Sequence, residues 1–293
     1  FLMTGKILKQ DELKETDIIM SLLKNISKPV LRSVIKKSIN ILAKQFIFEK
    51  DIKRASKLSS KLEGSIYAYS FDMLGEGART YKDANKYFDN YKNAITAIGE
   101  SSRKKKHSIS IKLSALHPRY ERGKLDLLRK ELLPKLFELI DLSKNLKVDI
   151  CFDAEEADRL NLSLFMVEEI LNSNLVDNNY SGFGIAVQAY QQRSIFVLKW
   201  LDNKLKKLNK KMNVRLVKGA YWDTEIKEAQ VMGLDDYPVY TEKEHTDLAY
   251  LACAHHMINA QDVIYPMFAT HNVLSVLTIK HWLGKRDDFE FQR

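Results

Sequence analysis

Polar and charged residues recur at the ends of short apolar runs along this chain. Asp72 and Glu76 mark the end of Ile66–Leu74, and Lys112 that of Ser108–Leu113. Asp153 and Glu155 follow Val148–Phe152, and Gln188 follows Gly182–Val187. Arg215 lies within Asn213–Val217, with Lys218 and Tyr221 beyond it. His271 and Asn272 follow Ile264–Thr270, and Glu290 and Gln292 lie in Phe289–Gln292. Cations and carboxylates gathered on one rim must pair with each other or with a ligand. Such a set suits an amphoteric small molecule and a planar cofactor. A carboxylate balances a substrate ammonium, an arginine can stabilise a developing anion on a flavin ring, and a glutamine amide can read a pyrimidine edge. Spacing alone does not establish a flavin.

Other chemistries find less support. His245, His255, His256 and His271 share one stretch, but no HExxH or paired ligand spacing occurs. His255 and His256 are adjacent on a predicted helix and point to different faces, so no metal site is expected. There is no GxSxG elbow, and Cys151, inside a strand run, is expected in the core.

The elements that must position these residues follow from the patterning. Residues 1–65 read as a helical arm, with Leu31, Val34, Ile35, Leu42, Gln45 and Phe46 near helical spacing and Pro29 where a helix could begin. Beyond it the strand runs are separated by helical stripes. Leu125, Leu128, Leu132, Leu136, Leu139 and Ile140 form one, Leu160, Leu164, Val167 and Leu171 a second, and Ile195, Leu198, Leu201, Leu205 and Leu208 a third. Alternation of this kind means βαβ units and a parallel sheet. The runs read as apolar on both parities, as when both faces are buried. A doubly wound sheet would need a phosphate-binding turn, and no GxGxxG or GxxxxGK[ST] is present; Gly75–Gly77 is too short. Polar residues at the C-terminal ends of successive strands favour a β/α barrel. Seven strands can be counted over 66–293, so the expected fold is a TIM-type (βα)8 barrel lacking its eighth unit.

Bulk properties agree with a single barrel plus an extra segment: 293 residues, 45% hydrophobic and 29% charged. The net charge is +9 and the sequence pI about 9.2. The lysines are spread along helices (Lys204, Lys206, Lys207, Lys210, Lys211), apart from one short run, Arg103–Lys106, so a solvated face is expected rather than a nucleic-acid site. Two distant cysteines without CxxC argue against a disulfide framework and for a reducing cytoplasm. No apolar run is long enough to span a bilayer.

Several stretches resemble the proline dehydrogenase family, in the form of the flavoenzyme domain of bifunctional proline utilization A. They are Tyr69–Glu76, Ser110–Tyr120, Asp153–Leu160, Val187–Arg193, Val214–Asp223, Phe268–Asn272 and Phe289–Gln292, in family order, with Lys28–Phe48 similar to the preceding helical segment. The resemblance implies noncovalent FAD and oxidation of L-proline to Δ1-pyrroline-5-carboxylate, by hydride transfer from C5 to flavin N5. Electrons would then pass to a membrane quinone, from a cytoplasmic protein peripheral to the inner membrane face. It implies catalytic roles for Lys112, Asp72, Tyr221 and Arg215. The proline pocket would comprise Asp72, Glu76, Lys112, Leu216, Ala220 and Tyr221. The FAD contacts would be Asp153, Gln188, Arg215, Val217, Gly219, Trp222, Thr246, His271, Asn272 and Glu290.

In that family a Leu-His-Gly-Met segment, an eighth strand and a helix with two adjacent arginines follow the seventh strand. Those arginines bind the proline carboxylate through charge-assisted bonds. Their absence here predicts weakened proline affinity and two unpaired sheet edges. It allows two further expectations: a second chain that supplies the missing part, or a non-catalytic remnant that binds flavin weakly or not at all. The ribbon–helix–helix DNA-binding domain and the aldehyde dehydrogenase module of some relatives are also absent from the sequence.

Overall fold

A computed structural model of the chain describes residues 32, 33, 35, 36, 39, 47–49, 51–62, 67–101, 105–177 and 182–293. It divides into two units, Phe1–Ala55 and Ser56–Arg293. Most of the predicted arm, and Ile66 at the start of the first strand run, lie outside the described residues.

The larger unit alternates strands and helices. The strands are β1 (Ser70–Asp72), β2 (Ser108–Ile111), β3 (Asp149–Phe152), β4 (Phe183–Gln188), β5 (Met212–Val217), β6 (Ile264–Ala269) and β7 (Glu290–Gln292). The helices are α1 (Ile52–Leu62), which begins before the unit boundary, α2 (Tyr81–Gly99), α3 (Leu125–Glu131), α4 (Leu133–Leu146), α5 (Leu160–Asn172), α6 (Ser194–Leu208), α7 (Trp222–Met232), α8 (Lys243–Asn259) and α9 (Val273–Leu283). All strand pairs are parallel and the sheet order is β1-β2-β3-β4-β5-β6-β7, the sequential order of a β/α barrel.

The sheet curls. Neighbouring strands lie about 4.8 Å apart, so in a flat sheet β1 and β5 would be roughly 19 Å apart. Yet the Arg215 guanidinium on β5 donates to Ser70 Oγ on β1 at 2.8 Å and to Ser110 Oγ on β2 at 2.7 Å. The sheet ends also approach each other, with Arg293, next to β7, 5.5 Å from the ring of Tyr67, before β1.

The two parities of each strand have different jobs, contrary to the uniform apolar reading. Phe71, Ile109, Ile111, Ile150, Phe152, Ile185, Val187, Val214, Leu216 and Phe268 are buried and form the parity that faces the helix layer. Apart from Met267, the other parity is small or polar: Ser70, Ser110, Cys151, Gly184, Ala186, Arg215, Glu290. Its members meet inside the curl, where Cys151, Ala186 and Met267 form one buried cluster. Successive strand side chains point to opposite faces, so a concave sheet lined by small residues follows from the period of two.

The helices complete the outer layer, though α5 buries Leu162, Met166, Val167, Ile170 and Leu171 while the expected Leu160 and Leu164 are partly exposed. The stripe from Leu125 to Ile140 is split into α3 and α4, with Pro134 in the first turn of α4, where its missing N–H costs nothing. Leu128, Leu132, Leu136, Leu139 and Ile140 stay buried across the break. No described helix is long and apolar enough to cross a membrane.

Candidate active site at the strand ends

Four predicted residues form one continuous network. Lys112, just beyond β2, donates from Nζ to Asp72 Oδ1 at 2.8 Å and to Asp153 Oδ2 at 2.9 Å. Asp153, just beyond β3, also accepts from Arg215 Nη1 at 3.0 Å. The side chains of Lys112 and Asp153 are 14% and 16% exposed, while that of Asp72 is 55% exposed. The network thus runs from a buried floor, Arg215, to an open lip, Asp72.

The electrostatics follow from that gradient. Burial by itself would depress the Lys112 pKa, but the carboxylates of Asp153 and Asp72 more than reverse this, and it rises above the usual lysine value. Glu290 lies on the same floor as Arg215. Burial raises its carboxyl pKa, against the pull of a bond from Gln292 and of the Arg215 charge. Cys151 is a buried thiol pushed up to about 12 by desolvation, so it is core rather than nucleophile. Arg215 Nε is buried and without a hydrogen-bond partner among the described residues.

A second pair stands beside the network. Tyr221, at the start of α7, donates its phenol to Glu76 Oε2 at 3.0 Å, joining the loops after β1 and β5. Burial and the Glu76 charge raise the Tyr221 pKa, so the phenol stays protonated through the neutral range.

The remaining predicted residues are distributed around this centre. Gln188 ends β4, buried, and spends its amide on backbone: Nε2 donates to Glu155 O at 2.9 Å, and Oε1 accepts from Ala220 N at 3.2 Å. Gly219 has φ +151°, and a Cβ there would lie 2.4 Å from the Tyr190 ring, so the chain can pass only as glycine. Val217 shares the parity of Arg215. Leu216 has the opposite parity. It is fully buried on the helix-facing parity, and its carbonyl accepts from Tyr250 of α8 at 3.3 Å. Lys218 turns out of the rim ring and pairs with Asp247 on α8. Trp222 is exposed, and its indole donates to Tyr240 O at 2.9 Å. Thr246 is buried on α8. His271 is exposed, and Asn272 caps α9 by accepting from Ser275 N at 3.0 Å. No side-chain bond joins Thr246, His271 or Asn272 to the Lys112 network among the described residues.

Two further carboxylates are buried: Glu155, placed at a strand end by the sequence but given no role, and Glu225, which the sequence reading did not single out. Glu155 accepts from Ser114 N at 3.0 Å and from Arg159 Nη1 at 2.7 Å. Glu225, on α7, accepts from Ala157 N at 2.7 Å and from the Tyr190 phenol at 3.4 Å. For Glu225 the apolar neighbours within Trp222–Met232 were the only signal, since nothing local marks a glutamate as buried.

The family model for proline dehydrogenase matches residues 55–293. The bifunctional protein PutA of Klebsiella aerogenes is 40% identical over 301 residues, covering 99% of this chain and 23% of that relative. Proline dehydrogenase 1 of Bacillus subtilis strain 168 is 26% identical over 254 residues, covering 85% of this chain and 73% of that protein. Among solved structures, a variant of Bradyrhizobium japonicum proline utilization A aligns with TM-score 0.77 and 45% identity, covering 84% of this chain and 25% of that one. Proline utilization A of Bdellovibrio bacteriovorus, inactivated by N-propargylglycine, aligns with TM-score 0.82 and 29% identity over 89% of this chain and 29% of that one. This chain thus spans about a quarter of the length of the bifunctional relatives. With the sequential parallel sheet and a family match covering all of the larger unit, the chain belongs to the proline dehydrogenase family.

Proposed function

We propose that the chain oxidises L-proline to Δ1-pyrroline-5-carboxylate at the Lys112–Asp72–Asp153–Arg215 network, with FAD as its cofactor. The observation that carries this reading is Lys112, a cation held between two carboxylates with a buried arginine behind them. The donor set suits a flavin. Arg215 keeps a buried Nε without a hydrogen-bond partner among the described residues, and the small side chains of Ser70, Ser110 and Ala186 lie beside it. Asp153, Gln188, Arg215, Val217, Gly219, Trp222, Thr246, His271, Asn272 and Glu290 would hold the cofactor. FAD, when bound, supplies the two-electron acceptor.

The chain's own residues would set charge and position. Proline must lose a proton from nitrogen and a hydride from C5 as the C=N bond forms, so its amine has to be neutral at that moment. Lys112 stays protonated through the neutral range and therefore does not serve as the base. It donates to both Asp72 and Asp153. One oxygen of Asp72 is taken by Lys112, and the other faces the open lip, where it can accept a proton from the substrate ammonium. Tyr221, protonated and bonded to Glu76, would form the wall of the pocket beside Ala220. A membrane quinone would accept the electrons afterwards.

The test is to purify the chain, record its visible spectrum and add proline without oxygen. A flavin band that bleaches with proline, and returns with a soluble quinone analogue, is the expected result. Colourless protein, or a bound flavin that proline never reduces, overturns the proposal.

A further inference from the structure

The loops after β1 to β5 are tied one to the next by hydrogen bonds, and one buried side chain stands in the middle. Glu155 is 8% exposed and lies two residues beyond Asp153. Its Oε1 accepts from the backbone N–H of Ser114 at 3.0 Å, two residues beyond Lys112. The ion pair Lys112–Asp153 therefore has a second rung, Ser114–Glu155, at the same offset on both chains. Two rungs fix a distance and a direction, whereas one ion pair between a long lysine and a short aspartate fixes only a distance.

The ties continue on both sides. Ser114 Oγ accepts from Gly77 N at 3.0 Å, and Ser114 O accepts from Ala78 N at 2.9 Å. These bonds bring in the loop after β1, which carries Asp72 and Glu76. The backbone oxygen of Glu155 accepts from Gln188 Nε2, and Gln188 Oε1 accepts from Ala220 N. These bonds bring in the loop after β5, which carries Tyr221. A buried carboxylate needs its charge met, and Arg159, four residues on, meets it with Nη1 at 2.7 Å. The charge of Glu155 is thus satisfied within its own segment, which leaves its second oxygen free to reach across to another loop.

We propose that Glu155 is a positioning residue, a clasp that holds the Lys112 loop against the Asp153 loop and so sets the geometry of the Lys112–Asp153 pair. The term positioning rests on the reading of those two residues as substrate-site groups; the clasp itself does not. No atom of Glu155 bonds to Lys112, Asp72 or Arg215 among the described residues, so its effect must travel through Ser114 and the backbone.

The test reads Lys112 directly and needs no turnover. Folded protein is trace-labelled with acetic anhydride at alkaline pH, and the labelling of Lys112 is measured by mass spectrometry relative to Lys204, which pairs with Glu168 at 2.7 Å well away from the clasp. In Glu155→Ala the Lys112 amine, no longer held in register with Asp153, is expected to label about 5-fold faster relative to Lys204. Glu155→Gln keeps an oxygen for the Ser114 N–H and is expected to stay within about 2-fold of the parent. Glu155→Asp keeps the charge but withdraws it by one methylene, and is expected to label about 3-fold faster. If Glu155→Ala does not fold, Glu155→Asp decides. Unchanged Lys112 labelling in the variant that decides, or equal acceleration in Glu155→Gln and Glu155→Ala, overturns the clasp. Failure of the parent to bind flavin or oxidise proline would sink the proposed function and leave this measurement intact.

Discussion

Lys112 meets two carboxylates at once, and that decides how its charge responds to pH. Its pKa in the folded chain lies above the ordinary lysine value. The stability it contributes is therefore fully present below the unfolded lysine pKa and is lost only as pH rises through the folded value. Lys112→Met should destabilise the chain by about 1–3 kcal/mol at neutral pH, because the partly buried Asp153 loses one of its two cations and keeps only Arg215. The gap from the parent should narrow in urea melts run above about pH 10.5. A gap that stays constant with pH would count against the pairing. Glu225 has the opposite sign. Burial raises its carboxyl pKa, more than the N–H of Ala157 lowers it. A raised acid destabilises the folded chain when ionised, so Glu225→Gln should melt higher than the parent near pH 8. The difference should vanish near pH 4, where both side chains are neutral. Equal offsets at both pH values would remove that account.

At the scale of elements, loops are aimed by small local devices. Asn272 gives α9 its N-cap, and Asn272→Ala should cost about 1 kcal/mol. For a unit of this size that is roughly 2–4 °C in melting temperature, measurable by calorimetry. Gly219 is stricter, because its positive φ and the Tyr190 ring both exclude a side chain. Gly219→Ala should cost about 2 kcal/mol or more and displace the segment from Lys218 to Tyr221. If the melt is unchanged, the close approach to Tyr190 does not exist in solution. The strand ends were legible in the sequence because polar residues interrupt apolar runs there: Lys112 after Ile111, Asp153 after Phe152, Gln188 after Val187. Strand limits matched to within a residue or two where both ends are described, since period-two patterning is strong in strands this short. The break between α3 and α4 was less legible, because the buried stripe from Leu128 to Ile140 keeps helical spacing straight through Leu132.

At the scale of the molecule, the curl lets distant strands share one site. Arg215 touches side chains from β1, β2 and the loop just beyond β3. That convergence needs the larger unit to fold as one body, and we expect it to be recovered as such. Limited trypsin digestion should leave a resistant core whose start falls within or near Ile52–Leu62 and which retains β1 through β7. Early cuts between β3 and β5 would contradict a single cooperative sheet.

The amino-acid sequence by itself determined the alternation of strand and helix, the parallel order and the ring of polar residues at the strand ends. Those properties rest on local periodicity and turn chemistry, which neighbouring residues carry. Only the tertiary structure decided which ring members meet. It joined Asp72, Lys112, Asp153 and Arg215, turned Lys218 away to Asp247 and set Leu216 on the helix-facing side. It also buried Glu155 and Glu225 as partners of backbone N–H groups. The reason is physical. Pairing across a barrel depends on how far the sheet curls and where each loop lands, and both are sums over contacts far apart in the chain that no local pattern encodes.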